Sequence, residues 1–113
     1  MSMKIEFRRY REVYIVDVEG DMDLYNAHEL KEVVNKLIEK GIDKIIINLE
    51  KVDYIDSSGV GALIHIFTSI KRNSFNLRIT NVHGSVEKVI KLTKLIGYFP
   101  IVEDVKTALQ QLQ

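Results

Sequence analysis

The sequence has no cysteine and no tryptophan, a single proline (Pro100), and no excess of either charge, with 16 basic residues against 16 acidic ones. Without thiols the chain forms no disulfide, holds no thiolate-bound metal or iron–sulfur cluster, and offers no cysteine nucleophile. The charge balance argues against a nucleic-acid binder that works by neutralising phosphates, which needs a basic excess or a basic stripe. Long apolar runs are also missing. Ile45-Ile46-Ile47 is typical of the longest, far short of the roughly 18 residues of a membrane span. The start, Met1-Ser2-Met3-Lys4-Ile5-Glu6, alternates and carries charge instead of building the apolar core of a signal peptide. These absences lead to the expectation of a cytoplasmic protein with no direct contact to nucleic acid or membrane.

What is present is the composition of a globular domain, 46% hydrophobic and 28% charged over 113 residues. A chain of this length buries about two-thirds of its unfolded surface and needs neither metal nor disulfide to fold. No Pro-, Gly- or Ser-rich linker, repeat or low-complexity tract divides it, so residues 1–113 are expected to form one domain.

Periodicity gives the elements. Lys4–Arg8 alternates with period two, and after a polar break at Tyr10-Arg11-Glu12 a second strand covers Val13–Val18, an antiparallel pair at one side of a sheet. A helix follows, with Leu30, Val33, Val34, Leu37 and Ile38 on one face and Gly41 as its stop. Asn26 is expected as its N-cap, in a capping box with Glu29, and Tyr25 with Leu30 as a hydrophobic staple. Lys44–Leu49 reads as a central strand buried on both faces. Val60, Leu63, Ile64, Phe67 and Ile70 mark a largely buried second helix, and Leu77–Thr80 a further strand. Val86, Val89, Ile90, Thr93 and Ile96 mark a third helix ending near Gly97. Ile101-Val102 is a short last strand, and Val105, Ala108, Leu109 and Leu112 form a closing helix with Asp104 near its start. The order ββαβαβαβα predicts an α/β fold: a mostly parallel sheet of four to five strands, an antiparallel edge strand and about four helices.

Signatures of catalysis do not assemble. There is no GxxxxGK[ST] loop; Gly59-Val60-Gly61 opens a GxG, but Ile64 stands where the dinucleotide fingerprint needs glycine. Ile55 and Asp56 occupy the positions that a nucleophile elbow would give to glycine before Ser57 or Ser58. His28, His65 and His83 lack metal-ligand spacing and read as surface or cap-adjacent residues. The carboxylate pairs Asp21/Asp23 and Asp53/Asp56 flank helix starts, where acids serve as caps. Neither a metal nor a cofactor is implied, and no enzyme is.

The informative segment is Asp56-Ser57-Ser58-Gly59-Val60-Gly61, which leaves a strand and opens a helix with Asp56 as a plausible N-cap. Two glycines inside a helix cost about 1 kcal/mol each relative to alanine, and they remove side chains where the backbone bends or another surface comes close. Ser57 then stands at the helix entrance on the carboxyl side of the parallel sheet, where open α/β folds place their sites. Physically the segment is either a strand-to-helix turn capped by small polar residues, or an exposed serine whose chemical state a partner reads.

Tyr54-Ile55-Asp56-Ser57-Ser58-Gly59-Val60-Gly61 resembles the signature of bacterial anti-sigma factor antagonists, members of the STAS domain family. Gly20-Asp21-Met22-Asp23 with Asn26-Ala27 is similar to that family's second signature, a Gly-x-Leu-Asp turn before a helix. Ile46-Ile47-Asn48-Leu49 leading to Val52 resembles its central strand, and Leu92-Thr93-Lys94-Leu95 the end of its third helix. The resemblance implies a regulator of transcription in stress response or sporulation. Its unphosphorylated form would bind an anti-sigma factor that is itself an ATP-using serine kinase, freeing the sigma factor, and a PP2C-type phosphatase would reset it. Carried over, Ser57 is the phosphoacceptor, and Asp23, Asn26, Asp56, Ser58, Gly59, Val60 and Gly61 make up the partner-binding surface. The phosphate, about −1.5 to −2 charge units, would be tolerated by the free N–H groups of the helix start and would act by repulsion and steric block. Departures are Met22 for leucine, Asn26 for a threonine cap, and Asn73-Ser74-Phe75-Asn76 where the family has glycines; Asn73 is expected to supply the left-handed residue there. Two other readings stay open: a STAS scaffold or accessory module without phosphorylation, and a nucleotide- or small-ligand-binding domain. Oligomeric state is open too.

Overall fold

The computed structural model describes residues 3–113; Met1 and Ser2, part of the alternating start, lie outside the described residues. The elements follow the expected order: β1 (Met3–Tyr10), β2 (Val13–Met22), α1 (Ala27–Glu39), β3 (Lys44–Ile55), α2 (Ser57–Arg72), β4 (Asn76–Thr80), α3 (Gly84–Leu92), β5 (Ile101–Val102) and α4 (Val105–Leu112). They build one five-stranded sheet in the order β1-β2-β3-β4-β5. β1 is antiparallel to β2, and every other pairing is parallel.

Alternation along the strands decides which helix covers which face. Val16, Val18, Ile45, Ile47, Leu49, Leu77 and Ile79 point to one side, where α1, α2 and α3 bury Leu30, Val34, Leu63, Ile66, Ile70, Val86 and Ile90 against them. Val13, Ile15 and Ile46 point to the other and receive Ala108 and Leu112 of α4. Beyond the reach of α4 that second face turns polar. Arg8 donates from Nε to Asp17 Oδ2 at 2.6 Å and from Nη2 to Oδ1 at 3.0 Å. Asn48 Nδ2 donates to Asp17 Oδ1 at 2.8 Å, and Thr80 Oγ1 to Asn48 Oδ1 at 3.3 Å. Four strands are thus tied by one polar ladder. Burial alone would raise the Asp17 carboxyl, but the hydrogen bonds from Arg8 and Asn48 outweigh it and hold Asp17 below the usual carboxylate range.

α1, α2 and α3 end in one way. The residue after the C-cap takes a left-handed backbone, its N–H bonds back to the carbonyl three residues earlier, and the next N–H reaches back five. For α1 these are Gly41 to Ile38 and Ile42 to Leu37; for α2, Ser74 to Lys71 and Phe75 to Ile70; for α3, Lys94 to Lys91 and Leu95 to Ile90. Gly41 (φ +78°) was expected in this role, but Ser74 (φ +59°) takes it instead of Asn73 (φ −91°), whose side chain donates to the Ser69 carbonyl. Lys94 (φ +61°) does the same for α3, which therefore stops at Leu92 and not near Gly97.

Three other expectations are corrected. The strands run on: β2 continues to Met22 and β3 to Ile55, so Gly20-Asp21-Met22 is an irregular strand end and not a turn. Register shifts between Asp17 and Glu19 and between Gly20 and Asp21, with Gly20 at φ +104°, absorb the mismatch. At the start of α1 no side chain caps the helix. Tyr25 is 84% exposed, so it makes no staple with the buried Leu30.

Candidate functional site

β2 and β3 deliver their carboxyl ends side by side, with Met22 opposite Ile55, and α2 begins two residues later. Asp56 is the joint. Its Oδ1 accepts the N–H groups of Ser58 at 2.8 Å and Gly59 at 3.1 Å, as an N-cap should. Its Oδ2 accepts the Leu24 N–H at 3.1 Å, and its own N–H donates to the Met22 carbonyl at 3.2 Å. One carboxylate therefore fixes the helix entrance and the loop after β2 to each other.

The glycine after the serines is the second device. A Cβ at Gly59 would lie 2.6 Å from the Met22 carbonyl oxygen and 2.5 Å from Ile55 Cγ1, so α2 approaches the end of β2 as closely as it does only because that position has no side chain. Gly61 differs. It is exposed, and a Cβ there would meet nothing within 4 Å. It lies four residues after Ser57, hence on the same helix face one turn along. Nothing among the described residues accounts for this second glycine.

Asn26 sits beneath the loop, 6% exposed. Its Oδ1 accepts the Asp23 N–H at 2.9 Å and its Nδ2 donates to the Asp21 carbonyl at 2.8 Å. Asp23 accepts the Tyr25 N–H on Oδ1 at 2.9 Å, while its backbone carbonyl takes the N–H groups of Asn26 and Ala27. With the loop held from inside, Leu24 and Tyr25 are turned outward, 68% and 84% exposed, and Tyr54 on β3 is half-exposed.

Ser57, the expected phosphoacceptor, is exposed at the first position of α2, and Gly61 shares its surface. Asp23, Asp56 and Ser58 are half-buried. Asn26, Gly59 and Val60 are buried and would shape the expected partner surface from below, Gly59 by lacking a side chain. The expectation that free N–H groups at the helix start would accommodate a phosphate is also revised, because those of Ser58 and Gly59 are already given to Asp56. Sequence reading missed Leu24 and placed Tyr25 in a staple with Leu30; the signal available was two large side chains in a short polar loop. Among the described residues no cluster of His, Asp and Glu could hold a metal ion, and no helix is long and apolar enough to cross a membrane. His83 instead precedes α3 and its Nε2 bonds the Glu50 carbonyl oxygen at 2.7 Å.

The STAS domain model matches residues 4–108. An anti-sigma-B factor antagonist of Staphylococcus aureus is 32% identical over 95 residues, 84% of this chain and 88% of that one. Among solved structures, an anti-sigma factor antagonist of Mycobacterium paratuberculosis superimposes with a TM-score of 0.88 at 20% identity, over 98% of this chain and 94% of that one. SpoIIAA of Bacillus matches in its unphosphorylated form (TM-score 0.72, 18% identity, 97% and 96% of the two chains). It matches in its phosphorylated form as well (0.76, 19%, 97% and 100%). With the α/β sheet, the helix-entrance serine and a family model spanning nearly its whole length, this chain belongs to the STAS domain family.

Proposed function

We propose that the protein is an anti-sigma factor antagonist switched by phosphorylation of Ser57, with residues 1–113 acting as one STAS unit. Such antagonists are regulators and not catalysts, and the chain is not an enzyme. The observation that carries the reading is the exposure of Ser57 at the entrance of α2, whose cap Asp56 also holds the loop that exposes Leu24 and Tyr25. Unphosphorylated, this surface docks on an anti-sigma factor that is an ATP-using serine kinase, and the sigma factor is released. Exposed Leu and Tyr side chains supply the apolar contact, and the missing side chain of Gly61 lets the partner's backbone come close.

Phosphorylation adds about −1.5 to −2 charge units at Ser57. The helix-entrance amides are already committed to Asp56, so the phosphate gains little from the helix start and projects into the docking surface next to a carboxylate. It acts by repulsion and bulk, with no refolding, and a PP2C-type phosphatase reverses it. The Bacillus SpoIIAA structures support this economy, since the fold here matches both of its states. The same commitment of amides disfavours a nucleotide at this helix start.

The test is phosphosite mapping by mass spectrometry after incubation with ATP and the anti-sigma factor kinases of the source organism, together with calorimetric titration. Phosphate on Ser57, lost in Ser57→Ala and kept in Ser58→Ala, is expected, with Ser57→Glu weakening binding at least tenfold. Binding that ignores Ser57→Glu, with no phosphate at Ser57 under any condition, would reject it.

A further inference from the structure

β1 is one of the two outer strands of the sheet, and over eight residues its free edge presents unpaired backbone N–H and C=O groups. Edges of this kind are usually blunted by shortness, proline, a bulge or charged side chains. This one has only the last, Lys4, Glu6, Arg8 and Arg9, which are of both signs, and its ladder to β2 runs unbroken from Met3 opposite Gly20 to Tyr10 opposite Val13. At its centre Phe7 is 50% exposed, with Glu6 on one side and Arg8 on the other.

We propose that this edge pairs with β1 of a second copy, antiparallel, about a two-fold axis through Phe7. An antiparallel partner related by a two-fold normal to the sheet keeps each side chain on its own face, so the axis must pass through a pair of identical residues. An axis at Glu6 opposes two glutamates and sets Lys4 against Arg8; an axis at Arg8 opposes two arginines. Like charges directly opposite are destabilising. An axis at Ile5 pairs Lys4 with Glu6 but engages only residues 3–7. The axis at Phe7 pairs residues 4–10, stacks Phe7 on its copy, and sets Glu6 opposite Arg8 twice. Arg8 can take that contact: its Nε and Nη2 serve Asp17, and Nη1 has no hydrogen-bond partner among the described residues. The product is a continuous ten-stranded sheet that leaves Ser57, on the far side of β2, accessible in both copies.

Because the chain has no cysteine, single substitutions report the register without background. Cβ atoms directly opposite across such a pair lie about 4.5–5.5 Å apart, close enough for a disulfide with slight adjustment. Phe7→Cys should give a covalent dimer on mild oxidation, with Ile5→Cys and Arg9→Cys giving far less. Sedimentation velocity should show a concentration-dependent dimer of the unaltered chain. Glu6→Lys should weaken it about tenfold by turning two attractive pairs repulsive. That variant leaves the monomer sound: it gives up the exposed ion pair of Glu6 with Lys4 at 3.5 Å and sets a cation opposite Asp17 in the β1–β2 pair. A chain that stays monomeric to its solubility limit would overturn the proposal. So would cross-linking that favours Ile5→Cys, or a dimer indifferent to Glu6→Lys.

Discussion

Gly59 and Gly61 stand two residues apart in α2, yet alanine at the two positions should have opposite effects. Alanine is favoured over glycine in a helix interior by about 1 kcal/mol. At Gly61 the added methyl meets nothing within 4 Å, so the gain is realised and Tm should rise by about 4 °C for a chain of this size. At Gly59 the methyl would lie 2.6 Å from the Met22 carbonyl oxygen and 3.1 Å from Met22 Cβ. A backbone oxygen cannot rotate away as a side chain would, so the end of β2 has to shift off α2. Overpacking costs typically 1–3 kcal/mol; against an unyielding backbone oxygen the upper part of that range applies, about 2–3 kcal/mol, which after the propensity gain leaves a net loss of about 1–2 kcal/mol and should lower Tm by about 4–8 °C. The assay is thermal and urea unfolding followed by circular dichroism, with the linear-extrapolation slope checked for constancy. Equal effects at the two sites, or stabilisation by Gly59→Ala, would refute the close-approach argument. If Gly61 is kept bare for a docking partner, Gly61→Ala should be more stable than the natural chain while binding its anti-sigma factor less tightly.

Asp56→Ala removes the cap of α2 and the acceptor for Leu24, a loss of about 2 kcal/mol; hydrogen exchange should quicken at the amides of Leu24, Ser58 and Gly59, and unchanged protection there would dismiss the joint. Ser74→Gly and Lys94→Gly relieve left-handed backbone at non-glycine residues and should each stabilise by about 0.5–1 kcal/mol, read as a rise in urea midpoint. Asp17 is held below the usual carboxylate range by Arg8 and Asn48. Its contribution is therefore complete above the ordinary pKa of about 3.9 and is lost as pH falls through the lower folded value. Asp17→Asn should flatten that part of the acid limb of stability against pH, and an unaltered limb would count against the ladder.

Most of the architecture was legible because period-two and period-3.6 patterns survive any packing detail. Val16, Ile47 and Leu63 had one place to go once the strands and helices were set. The strand ends were less legible: beyond Val18 and Leu49 the residues are polar or alternate imperfectly, and what prolongs β2 and β3 is their mutual pairing across a bulge. Helix ends failed where left-handed backbone fell on Ser74 and Lys94, residues with no strong preference for it. Around the site, the segment 56–61 announced the serine and its cap. The burial of Asn26 could not be read from its type, because an asparagine that caps a helix and one that braces a loop look alike in sequence. Tyr25 was misplaced for the same reason, since a staple needs a helix entry angle that the Asp23–Asn26 turn does not allow.

The ladder of Arg8, Asp17, Asn48 and Thr80 bears on how the strands find their alignment. Sliding β3 by two residues along β2 would leave each side chain on its original face, so alternation alone does not exclude the error. The slide would set Ile46 or Glu50 against Asp17 where Asn48 now stands, and would take the amide away from Thr80 in the same movement. Asn48 and Thr80 are nearly inaccessible to water, so the displaced groups would find no replacement partner. Alternation decides which way each strand faces; the ladder decides where along its neighbour it comes to rest.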